Sequence, residues 1–220
     1  MKFDRIVRSL VYSSLASNFL LFVRILSYRD LEYWYLSWNL LLAWIPLLFT
    51  ILLVLNLKKI PWISWQNIGL TFLWLVFLPN AFYIATDFIH LQQASSETLL
   101  VDLVLILSFT LNGLILGYLS VVTIHQQLIK RISKLYSRYL IVFVFLLCSF
   151  AIYLGRYLRW NTWDILINPA GILFDVSDRV INPSQYQQTY QTTALFFVFL
   201  ITFYYVVWQF YQELKNKPKK

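Results

Sequence analysis

A short stretch of an otherwise apolar chain, residues 78–90, carries side chains that could do chemistry. Its sequence, LPNAFYIATDFIH, contains Asn80, Tyr83, Asp87 and one of the only two histidines, His90. In many hydrolases an aspartate orients the histidine that acts as the general base. No serine is obviously placed as a nucleophile, so water would have to serve.

The spacing in this stretch favours a helix with one polar side. At 100° per residue, the polar residues from Asn80 to His90 fall within an arc of about 120°. Two interpretations stay open. The helix either lies on the membrane surface with its polar arc toward water, or it turns that arc inward over a pocket between helices. The absence of Lys and Arg from the arc favours the inward orientation.

A second polar group follows the fifth apolar run, in the sequence GRYLRWNTWD. If a helix continues there, Arg156, Arg159 and Trp160 share one face with the second tryptophan. An aromatic belt with snorkelling arginines would explain them, but guanidinium groups also bind phosphate or carboxylate bidentately. Because an intramembrane charge needs a partner, we pair Arg156 with Asp87 and Arg159 with Asp164.

On the inward interpretation, the predicted site combines two groups of residues in one outward-facing pocket. Asp87 and His90 are the candidate catalytic acid and base. No metal or cofactor is predicted, because two histidines in the whole chain make a zinc site on Asp87, His90 and Asp164 a poor prediction. The candidate binding residues are Asn39, Asn80, Tyr83, Arg156, Arg159, Trp160, Asn161 and Asp164.

The composition assigns the chain to a membrane. Of its 220 residues, 60% are hydrophobic and only 13% are charged, whereas soluble domains carry about 25% charged residues. A water-soluble fold of this size could not hide so much apolar surface. The net charge of +8 does not indicate a nucleic-acid partner, because the basic residues lie between apolar runs. One cysteine, Cys148, excludes an internal disulfide.

Six apolar runs predict an all-α, polytopic transmembrane bundle that forms a single domain over residues 1–220. A spanning helix needs about 20 apolar residues. Pro61 and Pro79 bound the third run, which predicts that its helix stops before Pro79, and Pro46 should kink the second. The runs cover approximately residues 9–26, 36–57, 62–78, 99–124, 139–156 and 190–211.

The basic residues predict the orientation. Thirteen of the 18 lysines and arginines lie in the two termini and in the second and fourth loops. The positive-inside rule therefore places both termini in the cytoplasm (N-in/C-in) and both polar groups outside. Short interfacial helices are expected on the outer face. There, residues 168–183 read as a helix place Asp175, Asp178 and Arg179 on one side, although a solvated loop is an equal alternative.

Several other residues are predicted to have structural roles rather than catalytic or binding ones. Asn18 and Asn112 lie in apolar helices, where amides hold helices together, and Asn39 has the same alternative role. Gly113 and Gly117 form a small-xxx-small packing face. His125, on the predicted cytoplasmic side, is interpreted as a plain loop residue.

Three blocks of the sequence resemble one known family. WNLLLAWIPLLF (38–49), FLPNAFYIATDFIHL (77–91) and GRYLRWNTWDIL (155–166) are similar to the signature blocks of a bacterial integral membrane family, domain of unknown function 1361. The resemblance covers about residues 35–210 and implies a multi-pass protein of the bacterial cytoplasmic membrane, without an activity or ligand. Phe82 stands where the family pattern has a second proline. The matching positions are Asn39, Pro79, Asn80, Tyr83, Asp87, His90, Arg156, Arg159, Trp160, Asn161 and Asp164.

Three classes of function stay open. The first is a membrane protein that binds or acts on an anionic envelope lipid or glycan precursor, with the bilayer and a phosphate-bearing ligand as partners. The second is an outward-facing protein for small-molecule binding or transport, although its polar groups concentrate at one face rather than at mid-membrane. The third is a structural or partner subunit without catalysis. The sequence predicts neither the substrate nor the oligomeric state.

Overall fold

Long apolar runs become helices because a backbone in lipid must satisfy its hydrogen bonds internally. The computed structural model describes residues 3–216, and within them the secondary structure is entirely helical. The helices are α1 (Phe3–Tyr28), α2 (Tyr35–Asn56), α3 (Trp65–Tyr83), a 3-10 helix (Ile84–Gln93), α4 (Leu99–Ile129), α5 (Lys134–Tyr157), α6 (Asp164–Ile167), α7 (Pro169–Ile181) and α8 (Gln187–Asn216).

Six segments are long and apolar enough to cross a membrane: α1, α2, α3 with the 3-10 helix, α4, α5 and α8. This confirms the predicted all-α fold with six candidate spans. The orientation stays a prediction. Four of the lysines that support it, Lys2, Lys217, Lys219 and Lys220, lie outside the described residues.

The described residues divide into two compact units. One comprises residues 3–124 and 210–216, and the other comprises residues 125–209. In the first unit, α2 and α3 pack along each other. Its core is a single buried apolar cluster to which α2 contributes Leu36, Leu40 and Leu47, and α4 contributes Phe109.

The end of α3 packs closely on α4. A Cβ atom on Gly113 would lie 2.6 Å from the carbonyl oxygen of Ala81, and one on Gly117 would lie 2.7 Å from the ring of Phe82. The small-xxx-small face is therefore a packing surface, as predicted. The close contact leaves no room for a residue larger than glycine at position 113 or 117.

Two asparagines join helices of the first unit, as predicted. The Asn112 side-chain amide donates to Ser17 Oγ at 3.0 Å, and the Ser37 hydroxyl donates to Asn18 Oδ1 at 2.6 Å. Each contact links two apolar helices through polar groups that would otherwise be unsatisfied in lipid.

The prediction that the third helix stops before Pro79 is wrong. Helix α3 continues to Tyr83 and contains Pro79 in its interior. An internal proline removes one backbone hydrogen bond, but neighbouring helices in a membrane protein make such a helix tolerable. Pro46 also lies inside its helix, α2, as predicted. Because α3 extends to Tyr83, the first part of the polar stretch is α-helical and the 3-10 helix begins at Ile84.

Candidate functional site

The segment that carries Asp87 and His90 is a 3-10 helix, Ile84–Gln93, rather than the predicted α-helix. With three residues per turn, residues i and i+3 lie directly above one another, so Asp87 and His90 share one face with Ile84 and Gln93. Along this face Ile84 and Asp87 are buried, His90 is half-buried and Gln93 is exposed. The face therefore runs from the core of the first unit to its surface.

Asp87 points into the protein. It is 1% exposed, and the Asn39 amide of α2 donates to its Oδ2 at 3.1 Å. This contradicts the surface-helix interpretation, in which Asp87 faces water, and agrees with the inward one. A buried carboxylate is costly unless it is hydrogen-bonded, and Asn39 supplies such a bond.

The second helix also provides the neighbour of the histidine. The His90 and Tyr35 rings are in contact, with centroids 5.3 Å apart and planes tilted by 54°. Tyr35 and Asn39 are four residues apart on α2, so they lie on one side of that helix. One face of α2 thus holds both members of the predicted acid–base pair.

Asn80 and Tyr83 belong to α3. The Asn80 amide donates to the Phe77 carbonyl at 3.0 Å, and the Thr86 hydroxyl donates to the Tyr83 carbonyl at 2.7 Å. The uniform α-helical winding predicted for residues 79–91 is wrong, because the winding changes after Tyr83.

The second predicted group lies in the other unit, after α5. That helix ends at Tyr157, and Arg159 adopts a φ of 60°, a left-handed conformation that is uncommon for residues other than glycine. The helix does not continue, so the predicted shared face of Arg156, Arg159, Trp160 and Trp163 is wrong. Arg156 is half-buried and Arg159 is exposed.

The hydrogen bonds of Trp160, Asn161 and Asp164 are formed with residues nearby in the sequence. The Trp160 indole donates to Asp175 Oδ2 of α7 at 2.7 Å, and the Asn161 backbone N–H donates to Asp164 Oδ2 at 2.7 Å. Within residues 3–216 no ion pair joins Arg159 to Asp164, so that predicted pair is wrong. The pairing of Asp87 with Arg156, and one pocket for both groups, stay predictions.

Residues 168–183, for which the sequence predicted either a helix or a solvated loop, contain helix α7 (Pro169–Ile181). The Asn168 side chain accepts from the Gly171 N–H at 3.1 Å, and Pro169 occupies the first turn, where its missing N–H costs nothing. Asp178 accepts hydrogen bonds from the Tyr186 hydroxyl and from Asn182, and these bonds lower the pKa of its carboxyl group.

A buried charge cluster in the first unit was missed by the sequence analysis. Arg24 of α1 is 3% exposed. Its Nε donates to Asp102 Oδ1 at 3.0 Å, its Nη2 lies 3.2 Å from Glu32 Oε2, and its Nη1 bonds to Asp30. Neither Arg24 nor Asp102 is among the predicted site residues. The signal was present, because an arginine in an apolar run requires a carboxylate.

Tyr33 completes this cluster. The Arg24 guanidinium lies 4.6 Å from the centre of its ring, within the range of a cation–π contact. Burial, together with the negative charges of Asp102 and Glu32, raises the pKa of Tyr33 to about 12.

His125 is not a loop residue, which corrects the prediction. It lies inside α4, is 2% exposed, and its Nδ1 is 2.7 Å from the Tyr204 hydroxyl. Its Nε2 is 3.3 Å from Ser137 Oγ, and its ring stacks on Trp208 with centroids 4.2 Å apart. One imidazole therefore joins α4, α5 and α8 within the second unit.

Together, the six candidate spans, the buried charges and the inward-facing Asp87 define a helical, multi-pass membrane protein with polar sites among its helices. Residues 38–210 match the family described as "Protein of unknown function (DUF1361)". The chain therefore belongs to that family, as its three sequence blocks predicted. No curated protein and no solved structure gives a match.

Proposed function

We propose that this protein binds an anionic, phosphate-bearing lipid or glycan precursor at the extracytoplasmic face of the bacterial cytoplasmic membrane and acts on it through Asp87 and His90. The burial of Asp87 carries the proposal. In a chain that spans a membrane, an ionisable side chain directed into the protein is a functional-site candidate. Asp87 is such a residue, with an imidazole on the same 3-10 face.

The arrangement suits general acid–base chemistry. Asn39 donates to one oxygen of Asp87, which orients the carboxylate. His90 lies one turn further on, and an imidazole can act as both general base and general acid. In this proposal His90 takes a proton from a water molecule as the water oxygen bonds to the phosphorus of the ligand. The bond between the phosphorus and the leaving oxygen breaks, and His90 returns the proton to that oxygen.

Arg156 and Arg159 are proposed to bind the phosphate of the ligand. Guanidinium groups match phosphate oxygens bidentately, which ammonium groups cannot do. The exposure of Arg159 supports this role, because an exposed guanidinium can meet a ligand without first leaving the protein interior.

A purely structural function is the second candidate, and a specific observation favours it. Asn39 with Asp87, Trp160 with Asp175 and Asn161 with Asp164 form hydrogen bonds within the protein. Amides and carboxylates of this kind hold membrane helices together without any ligand. The two candidates differ in whether removing the charge of Asp87 affects anything besides stability.

Purified protein incubated with phosphatidylglycerol vesicles separates these candidates. Mass spectrometry counts the lipid that remains bound and the lipid that is converted, with phosphatidylcholine vesicles as the reference. We expect preferential retention of the anionic lipid, lower retention in Arg159→Gln, and a roughly 10²–10⁴-fold slower conversion in Asp87→Asn and His90→Gln.

The matched control is Glu97→Gln, which removes an exposed carboxylate that follows the 3-10 helix. It should behave as the wild type. If wild type and all variants retain the two lipids equally and convert neither, the proposed function is wrong and the structural candidate replaces it.

A further inference from the structure

Helix α7 turns its charged side chains toward the protein. Asp175 and Arg179 form an ion pair at 3.0 Å, and Arg179 is 7% exposed. The Trp160 indole donates to Asp175 at 2.7 Å, and the Tyr190 hydroxyl donates to the Arg179 carbonyl at 2.8 Å. The polar groups on this side of α7 are therefore satisfied within the second unit.

The opposite side of α7 is apolar and exposed. Residues 170, 173, 174, 177, 180 and 181 follow the spacing of one helical face, and Ser177 is the one polar member among them. A helix at a water surface shows the reverse pattern, with its charges outward. With two residues of α6, six large apolar side chains are each at least 64% exposed: Leu166, Ile167, Leu173, Phe174, Val180 and Ile181.

The flanking helices indicate what covers this face. The segment follows α5 and precedes α8, and both of these are long and apolar enough to cross a membrane. They also expose large apolar side chains, including Phe143 of α5 and Leu195 of α8. The apolar surface of α6 and α7 is thus continuous along the chain with surfaces that lipid covers.

The length of α7 excludes a further crossing. Its 13 residues make a helix of about 20 Å at 1.5 Å per residue, and the hydrocarbon core of a bilayer is about 30 Å thick. A helix that is too short to cross, yet is connected at both ends to spanning helices, lies at one boundary of the membrane.

From these observations we infer that α6 and α7 are embedded in lipid at that boundary, with the row from Leu166 to Ile181 against the acyl chains and the Asp175–Arg179 pair against the protein. This is the inverse of an interfacial helix that keeps its charges in water. The segment is a lipid-contacting surface of the protein. The inference is independent of the proposed function and of which side of the membrane the segment occupies.

Two variants, each with one added cysteine, test this surface. Ser177→Cys places a thiol in the middle of the apolar row, and Ser184→Cys places one in the exposed turn after α7. Both changes replace one oxygen by sulfur, and the native Cys148 is fully buried, so the wild type serves as the unlabelled reference. Protein in lipid nanodiscs, in which both membrane faces are open to water, is treated with a membrane-impermeant maleimide. A nitroxide on the same thiols reports collisions with oxygen and with a water-soluble nickel chelate.

We expect the maleimide to react at residue 177 at least about tenfold more slowly than at residue 184, as burial in an apolar medium implies. The nitroxide at 177 should collide with lipid-dissolved oxygen more than with nickel. Equal maleimide rates at both sites would mean that water covers the row. Protection of 177 from both oxygen and nickel would mean that another protein covers it, and either result overturns the inference. Val180→Cys, on the same row, replaces Ser177→Cys if that variant does not accumulate.

Discussion

The Arg24 guanidinium contacts three carboxylates, but these are not equivalent. Asp30 and Glu32 have more than two fifths of their side-chain surface exposed, whereas Asp102 is completely buried. Water can therefore solvate Asp30 and Glu32 if Arg24 is removed, but it cannot reach Asp102. The buried Arg24–Asp102 pair is the part of the cluster on which the stability of the first unit should depend.

Arg24→Ala should lower the free energy of unfolding by about 3–5 kcal/mol, because it leaves the buried charge of Asp102 uncompensated. Arg24→Lys should cost less, since an ammonium keeps the charge but cannot form three fork-like contacts. The measurement is denaturant unfolding of the purified protein in one detergent.

The matched control for this prediction is Arg5→Ala, which removes an exposed arginine from the same helix and should change stability by at most about 0.5 kcal/mol. The double variant Arg24→Met with Asp102→Leu should recover most of the loss, because no buried charge then remains unpaired. If Arg24→Ala and Arg5→Ala are equally mild, the buried pair does not carry this stability.

Among the helices, the contact of α3 with α4 depends on glycine at two positions. Gly113→Ala should destabilise the protein by about 1–3 kcal/mol, because the new Cβ meets a backbone carbonyl that cannot move aside. Gly117→Ala should also destabilise the protein, because its Cβ would meet the fully buried ring of Phe82. Thermal unfolding measures both variants.

Gly69 of α3 provides the control for this contact. A Cβ there meets nothing within 4 Å, so Gly69→Ala should stabilise the protein by roughly 0.5–1 kcal/mol through the lower entropy of the unfolded chain. A Gly113→Ala variant as stable as Gly69→Ala would show that the two helices do not pack as closely as described.

Helix positions were predictable from the sequence, but helix ends near the polar stretches were not. Hydropathy is a local property, and it located all six candidate spans. Pro79 was expected to end α3, but an internal proline is tolerated where other helices surround it. The change to 3-10 winding at Ile84 and the left-handed conformation of Arg159 depend on tertiary contacts that no local pattern encodes.

For the whole molecule, the parts of the site that depend on local sequence patterns could be predicted, and the parts that depend on contacts between distant residues could not. The 3.6- and 3.0-residue periods both place residues three apart on one face, so Asp87 and His90 stayed together although the winding was wrong. Arg24 and Asp102, however, are 78 residues apart in sequence, and His125 and Tyr204 are 79 apart. Contacts between such distant residues depend on how the helices assemble, and local sequence patterns do not reveal that arrangement.

The proposed function also depends on which side of the membrane holds the 3-10 helix. Thirteen basic residues against five predict that both termini and the 130–138 loop are cytoplasmic and that Gln93, at the end of the 3-10 helix, is outside. An extracytoplasmic site that binds an envelope lipid or glycan precursor requires this orientation.

Reporter fusions that are active on one side of the membrane test this claim most directly, and they are placed after Gln93, within residues 130–138 and after Lys220. The account predicts an extracytoplasmic signal at Gln93 and cytoplasmic signals at the other two positions, which serve as mutual controls because an even number of crossings separates them. A cytoplasmic signal at Gln93 together with an extracytoplasmic C-terminus would contradict the account, since it would place Asp87 and His90 on the cytoplasmic side.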